Sequence, residues 1–70
     1  MNNRIKVYRA MHEISCKALG ELAGFSQQSI SRYENGTRNP GLKECRAIVA
    51  AFNNLGDDAT LDEVFPEDLT

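Results

Sequence analysis

Five side chains within residues 27–32 could make directed polar contacts: Gln27, Gln28, Ser29, Ser31 and Arg32. Two amides side by side are an odd choice for a plain solvated surface, where Glu or Lys would serve. An amide donates and accepts hydrogen bonds at once, which neither Lys nor Glu does. Arg32 lies four positions beyond Gln28, so on a helix the two share a face. Catalytic chemistry has no comparable signature. The sequence pattern holds no His–carboxylate pair, nucleophile elbow, P-loop or cluster of metal ligands. His12 is the lone histidine, and Cys16 and Cys45 form no CxxC pair. No catalytic residue, metal site or cofactor is therefore expected. His12 reads as a polar residue at a helix end, and the cysteines read as free thiols.

Short helices must position these side chains. Apolar residues recur at spacings of three and four, and the β-branched runs of strands are missing. A first helix is expected over residues 4–11, with Ile5 and Tyr8 inward and Ile14 tucked beneath the following turn. Ser15 is a good N-cap for a second helix over 16–23, with Leu19 and Ala23 inward. Gly24 suits the left-handed position that ends it. Phe25 crosses into the core, and Ser26 caps a third helix over 27–35, with Ile30 and Tyr33 buried. Asn35-Gly36 supplies a second stop, and Pro40 starts a turn into the next helix. The fourth helix is expected over 42–52, with Leu42, Cys45, Ile48, Val49 and Phe52 on one apolar face. Residues 53–59 read as a loop. Thr60 caps a last helix over 61–65, halted by Pro66; Asp62 and Glu63 suit its first turn.

Only Gly-Phe-Ser joins the second helix to the third. So tight a turn forces a steep crossing, the geometry of a helix-turn-helix unit. A helical hairpin in any small bundle would also satisfy the spacing.

The stretch "SCKALGELAGFSQQSISRYENGTRNP", residues 15–40, resembles the helix-turn-helix of the phage repressor and Cro-like family, also called the XRE family. The family's usual pattern reads roughly S-Q-x-x-L-A-x-x-x-G-[VI]-S-x-x-x-[IV]-S-x-x-E-x-G-x-x-x-P. Leu19, Gly24, Ser26, Ile30, Ser31, Glu34, Gly36 and Pro40 match it. The likeness extends over about residues 4–65, and "QQSI" followed by "ENG" is most similar to certain lambdoid phage repressors. Several positions depart. The usual Gln opening the second helix, which touches a phosphate in relatives, is Cys16. The usual Ala is Gly20, and the usual bulky aliphatic residue is Ala23. Glu13 stands where Gly or Asn often turns the chain. The loop before the last helix is longer than usual.

The resemblance implies an all-α bundle of five short helices of the lambda-repressor-like kind, with the third helix entering the major groove of double-stranded DNA. It assigns base contacts to Gln27, Gln28, Ser31 and Arg32. Glutamine can pair bidentately with adenine N6 and N7, and arginine suits guanine or a phosphate. Ser29 could reach the backbone or a thymine methyl. Ser15, Lys17, Ser26, Asn35 and Arg38 are the expected phosphate contacts. Lys43 and Arg46 either join them or simply solvate the fourth helix. Arg9 and Glu34 are the implied structural ion pair, bracing the third helix against the first.

The totals fit this expectation. Seventy residues make one domain with a thin core. Eight basic groups against four acids give residues 1–46 a charge of +4, whereas residues 47–70 carry six acids and no base. The net charge of −2 thus conceals a basic part fit for a polyanion. Residues 1–66 read as the DNA-binding domain and 67–70 as an acidic tail. No apolar run approaches the roughly 18 residues of a membrane span. Without a visible signal peptide the chain is expected in the cytoplasm, associated with the nucleoid. The expected role is a bacterial or phage transcriptional regulator, a repressor by its likeness to that family, and not an enzyme. It would bind a short inverted repeat as a homodimer. An antitoxin of the same fold, binding a toxin and regulating its own operon, is the alternative.

Overall fold

Local signals start and stop each helix. The computed structural model describes residues 3–66, which form α1 (Ile5–Met11), α2 (Cys16–Ala23), α3 (Gln27–Asn35), α4 (Leu42–Asn54) and α5 (Leu61–Val64). The protein is all-α, with no strand among the described residues. Residues 67–70, expected as an acidic tail, lie outside the described residues. The side chains of Ser15 and Ser26 accept from the backbone N–H groups of Ala18 and Ser29, closing the starts of α2 and α3. Thr60 and Glu63 form a reciprocal capping box on α5.

The first four helices end alike. In each, an N–H bonds back to the carbonyl five residues earlier: Ile14 to Arg9, Phe25 to Gly20, Thr37 to Arg32 and Asp57 to Phe52. The residue before each of these donors has a positive φ: Glu13 at 54°, Gly24 at 86°, Gly36 at 78° and Gly56 at 105°. This is the Schellman stop, and it selects glycine because a Cβ is costly at that φ. Glu13 is the exception.

Each helix contributes to one core. Ile5, Leu19, Ile30, Ile48, Phe52 and Val64 are completely buried, so all five helices meet there. Burying each such side chain favours folding by about 1.5–3 kcal/mol. Tyr8 lies against Phe52 at a ring distance of 5.3 Å, and Phe25 meets Tyr33 edge-on at 6.1 Å.

Three expectations about the later helices need correction. Leu42 is 56% exposed, because it opens α4 before the apolar face reaches the core. α4 continues to Asn54, two residues past Phe52. Asn53 helps close this end: its amide donates to the Ala59 carbonyl at 3.1 Å and accepts from the Ala59 N–H at 2.7 Å. α5 stops at Val64, because Phe65 leaves helical geometry at φ −123°, ψ 71°, although its side chain is buried.

Candidate nucleic-acid interface

The elbow between α2 and α3 fixes where the polar stretch begins. Gly24 N–H and Phe25 N–H both reach the Gly20 carbonyl at 2.7 Å. A Cβ on Gly20 would lie 2.5 Å from the Phe25 carbonyl oxygen. Gly20 therefore lets the turn backbone lie against the helix. The alanine usual here would require the turn to sit farther out.

Gln27 and Gln28 occupy the first turn of α3 and are exposed. Arg32 is exposed one turn later, while Ser29 and Ser31 are half-buried. Beyond the end of α3, Arg38 is exposed, and its N–H is tied to the Arg32 carbonyl at 3.3 Å. Asn35, Lys17, Lys43 and Arg46 are also exposed. Neither Arg32 nor Arg38 is in an ion pair among the described residues. Their charges are thus available to a polyanion. Ser15 and Ser26 differ from one another. Ser15 accepts from Ala18, leaving its O–H to donate outward. The Ser26 O–H already donates to Ser29 Oγ at 3.1 Å.

Behind α3, a part-buried ion pair fixes its orientation. Arg9 Nε donates to Glu34 Oε2 at 2.7 Å and Nη2 donates to Oε1 at 3.3 Å, a two-point contact. Nη1 donates to the Ile14 carbonyl at 2.9 Å. Every nitrogen of the guanidinium is thereby committed within the fold. The hydrogen bond to Glu34 pushes the arginine further toward its charged form. Cys16 Sγ lies 3.7 Å from Glu34 Oε2. Burial, aided by the Glu34 charge, pushes this thiol above its usual value, so it stands here as a neutral weak donor. The residue that replaces the family's phosphate-touching Gln thus faces inward to the ion pair.

One pair lies outside the sequence reading. His12 Nε2 is 2.7 Å from Asp57 Oδ2, with side chains only 21% and 15% exposed. The His12 ring also stacks on Phe52 at 6.4 Å. The sequence pattern holds no His–carboxylate pair, but folding makes one across 45 positions. It ties the end of α1 to the loop between α4 and α5. Asn3 was missed too: its side chain reaches the Tyr33 carbonyl at 2.9 Å. Neither contact has a local spacing signal. Among the described residues there is no group of His, Cys, Asp and Glu fit to hold a metal ion.

The chain is similar to known proteins over most of its length. A helix-turn-helix family model matches residues 5–56, most of the chain. The chain belongs to the helix-turn-helix family of Cro/C1 type. An uncharacterized HTH-type transcriptional regulator of Methanocaldococcus jannaschii is 40% identical over 63 residues, covering 90% of this chain and 96% of that protein. Antitoxin PezA of Streptococcus pneumoniae is 31% identical over 75 aligned positions. That match covers all of this chain and 48% of the antitoxin, so the chain spans about half of that relative. Helix-turn-helix membership agrees with the five-helix, strandless fold and makes this a DNA-binding regulator. No helix among the described residues is long and apolar enough to cross a membrane.

Proposed function

We propose that this protein is a sequence-specific transcriptional repressor that reads double-stranded DNA through α3. The observation that carries the reading is the first turn of α3, where Gln27 and Gln28 are exposed on a rigid elbow. The N-terminal part of a recognition helix meets base edges in the major groove. Gln27, Gln28, Arg32 and Ser31 read bases. Each good bidentate pair provides about 1–3 kcal/mol of discrimination. Ser15, Lys17, Ser26, Asn35 and Arg38 hold phosphates, helped by backbone N–H groups at the helix starts. Ser26 does so through its backbone N–H or after releasing Ser29. Arg9 and Glu34 are structural and leave the DNA to others.

Residues 1–66 act as the binding domain and residues 67–70 as an acidic extension. The protein works by binding alone, without catalysis or cofactor, on the nucleoid in the cytoplasm. Two copies engage an inverted repeat, with recognition helices one turn apart, roughly 34 Å. Selection of bound duplexes from a random pool tests this reading. An enriched inverted repeat, with affinity falling steeply as salt rises, is the expected result. Unselective recovery of all sequences would overturn it.

The match to an antitoxin favours a second reading, in which the chain also binds a toxin and represses its own operon. Co-expression with the product of an adjacent gene distinguishes the two. A stable complex that relieves toxicity supports the antitoxin role; free chain beside an inert neighbour removes it.

A further inference from the structure

Asn3 precedes α1, yet its side chain joins two helices. Its Oδ1 accepts from the Ile5 N–H at 3.1 Å, at the start of α1. Its Nδ2 donates to the Tyr33 carbonyl at 2.9 Å, in the last turn of α3. Carbonyls in a last turn lack the usual partner four residues on; this one takes only the Gly36 N–H, at 3.3 Å, and keeps a lone pair for an outside donor. Tyr33 is also next to Glu34, which Arg9 grips from the other end of α1. Two successive residues of α3 are thus held from both ends of α1, by Asn3 just before its start and by Arg9 in its last turn. Ile30 and Tyr33 seat α3 in the core, and the polar contacts act on its remaining freedom to tilt. Two contacts set its angle.

We propose that Asn3 is a positioning residue for base readout. It fixes the tilt of α3, and so the place of Gln28, without touching DNA itself. This rests on the DNA-reading function proposed above. A simple cap of α1 is the rival role, and the two are separable. Serine accepts from a nearby N–H as asparagine does, but its hydroxyl is one bond shorter and falls short of Tyr33.

The test compares the full wild-type chain with Asn3→Ser and Asn3→Ala. Melting is measured, together with the Tyr33 carbonyl carbon resonance and affinity for two duplexes. One duplex is the sequence that wild type enriches from a random pool; the other is its scramble. Asn3→Ser is expected to melt as wild type does and to shift the Tyr33 resonance. It should lose about tenfold in preference for the enriched duplex, the scale of one weakened base contact, while binding the scramble unchanged. Preference kept by Asn3→Ser, with only Asn3→Ala losing stability, reduces Asn3 to a cap and overturns the proposal. A wild-type chain that does not discriminate overturns the DNA reading and this role together. In that case the Tyr33 resonance still reports whether the link to α3 exists, so the two failures are told apart.

Discussion

Arg9 and Glu34 meet across the gap between α1 and α3, 25 positions apart, through a 2.7 Å charge-assisted hydrogen bond and a second at 3.3 Å. Their side chains are 21% and 9% exposed. Removing one partner of a fully buried pair costs roughly 3–5 kcal/mol. Arg9 keeps some water here, so Glu34→Ala should cost less, about 2–3 kcal/mol. The urea midpoint checks this. DNA binding should weaken because α3 loosens. Unchanged melting in the variant would deny the pair its bracing role.

Glu13 holds a backbone conformation that suits glycine, φ 54°, at the end of α1. The equivalent stops of the next three helices use Gly24, Gly36 and Gly56. Left-handed geometry costs an ordinary residue roughly 1–2 kcal/mol, partly offset because glycine loses more entropy on folding. Glu13→Gly should therefore raise stability by about 0.5–1 kcal/mol. Glu13 is exposed, so no packing is lost. A lower urea midpoint would contradict this account of the turn.

His12 links α1 to the loop that leads into α5 through Asp57, and its ring covers Phe52. His12→Ala removes a part-buried hydrogen bond and a stacking contact. It should cost about 1–2 kcal/mol. Equilibrium unfolding in urea measures the loss, and a midpoint equal to wild type would show the contact to be incidental.

Both thiols are pushed upward by burial, Cys16 with help from the Glu34 charge and Cys45 with help from Glu44. The native chain then keeps thiol protons to higher pH than the unfolded chain does. This stabilisation is complete below the unfolded thiol value, roughly 8.5. It is lost as pH rises through the folded values. Melting temperature should fall on the alkaline side, and less so in a Cys16→Ser, Cys45→Ala variant. Alkylation of native chain at neutral pH should be slow and should quicken in urea. Rapid native alkylation would contradict the burial.

The helices were readable because their signals are local. Ser15, Ser26 and Thr60 mark starts, Gly24 and Gly36 mark stops, and Cys45, Ile48, Val49 and Phe52 keep helical spacing. The ends of α4 and α5 were harder. Asn53 extends the fourth helix through a bond to Ala59 that forms only after the chain turns. Leu42 has the right spacing for the core but sits too early in its helix to reach it. The exposed amides follow from the cap at Ser26, whereas the links made by Asn3 and His12 do not. Those depend on how α1 lies across the molecule, and no pattern within a helix encodes it.

In the proposed function Gln28, set outward by the elbow at Gly24, touches base edges. Binding energies for the selected duplex and its single-base-pair variants, measured for wild type and Gln28→Ala, test it most directly. Gln28→Ala should erase about 1–3 kcal/mol of preference at one symmetric pair of positions and leave the others as they were. Equal weakening at every position, or none, would contradict it.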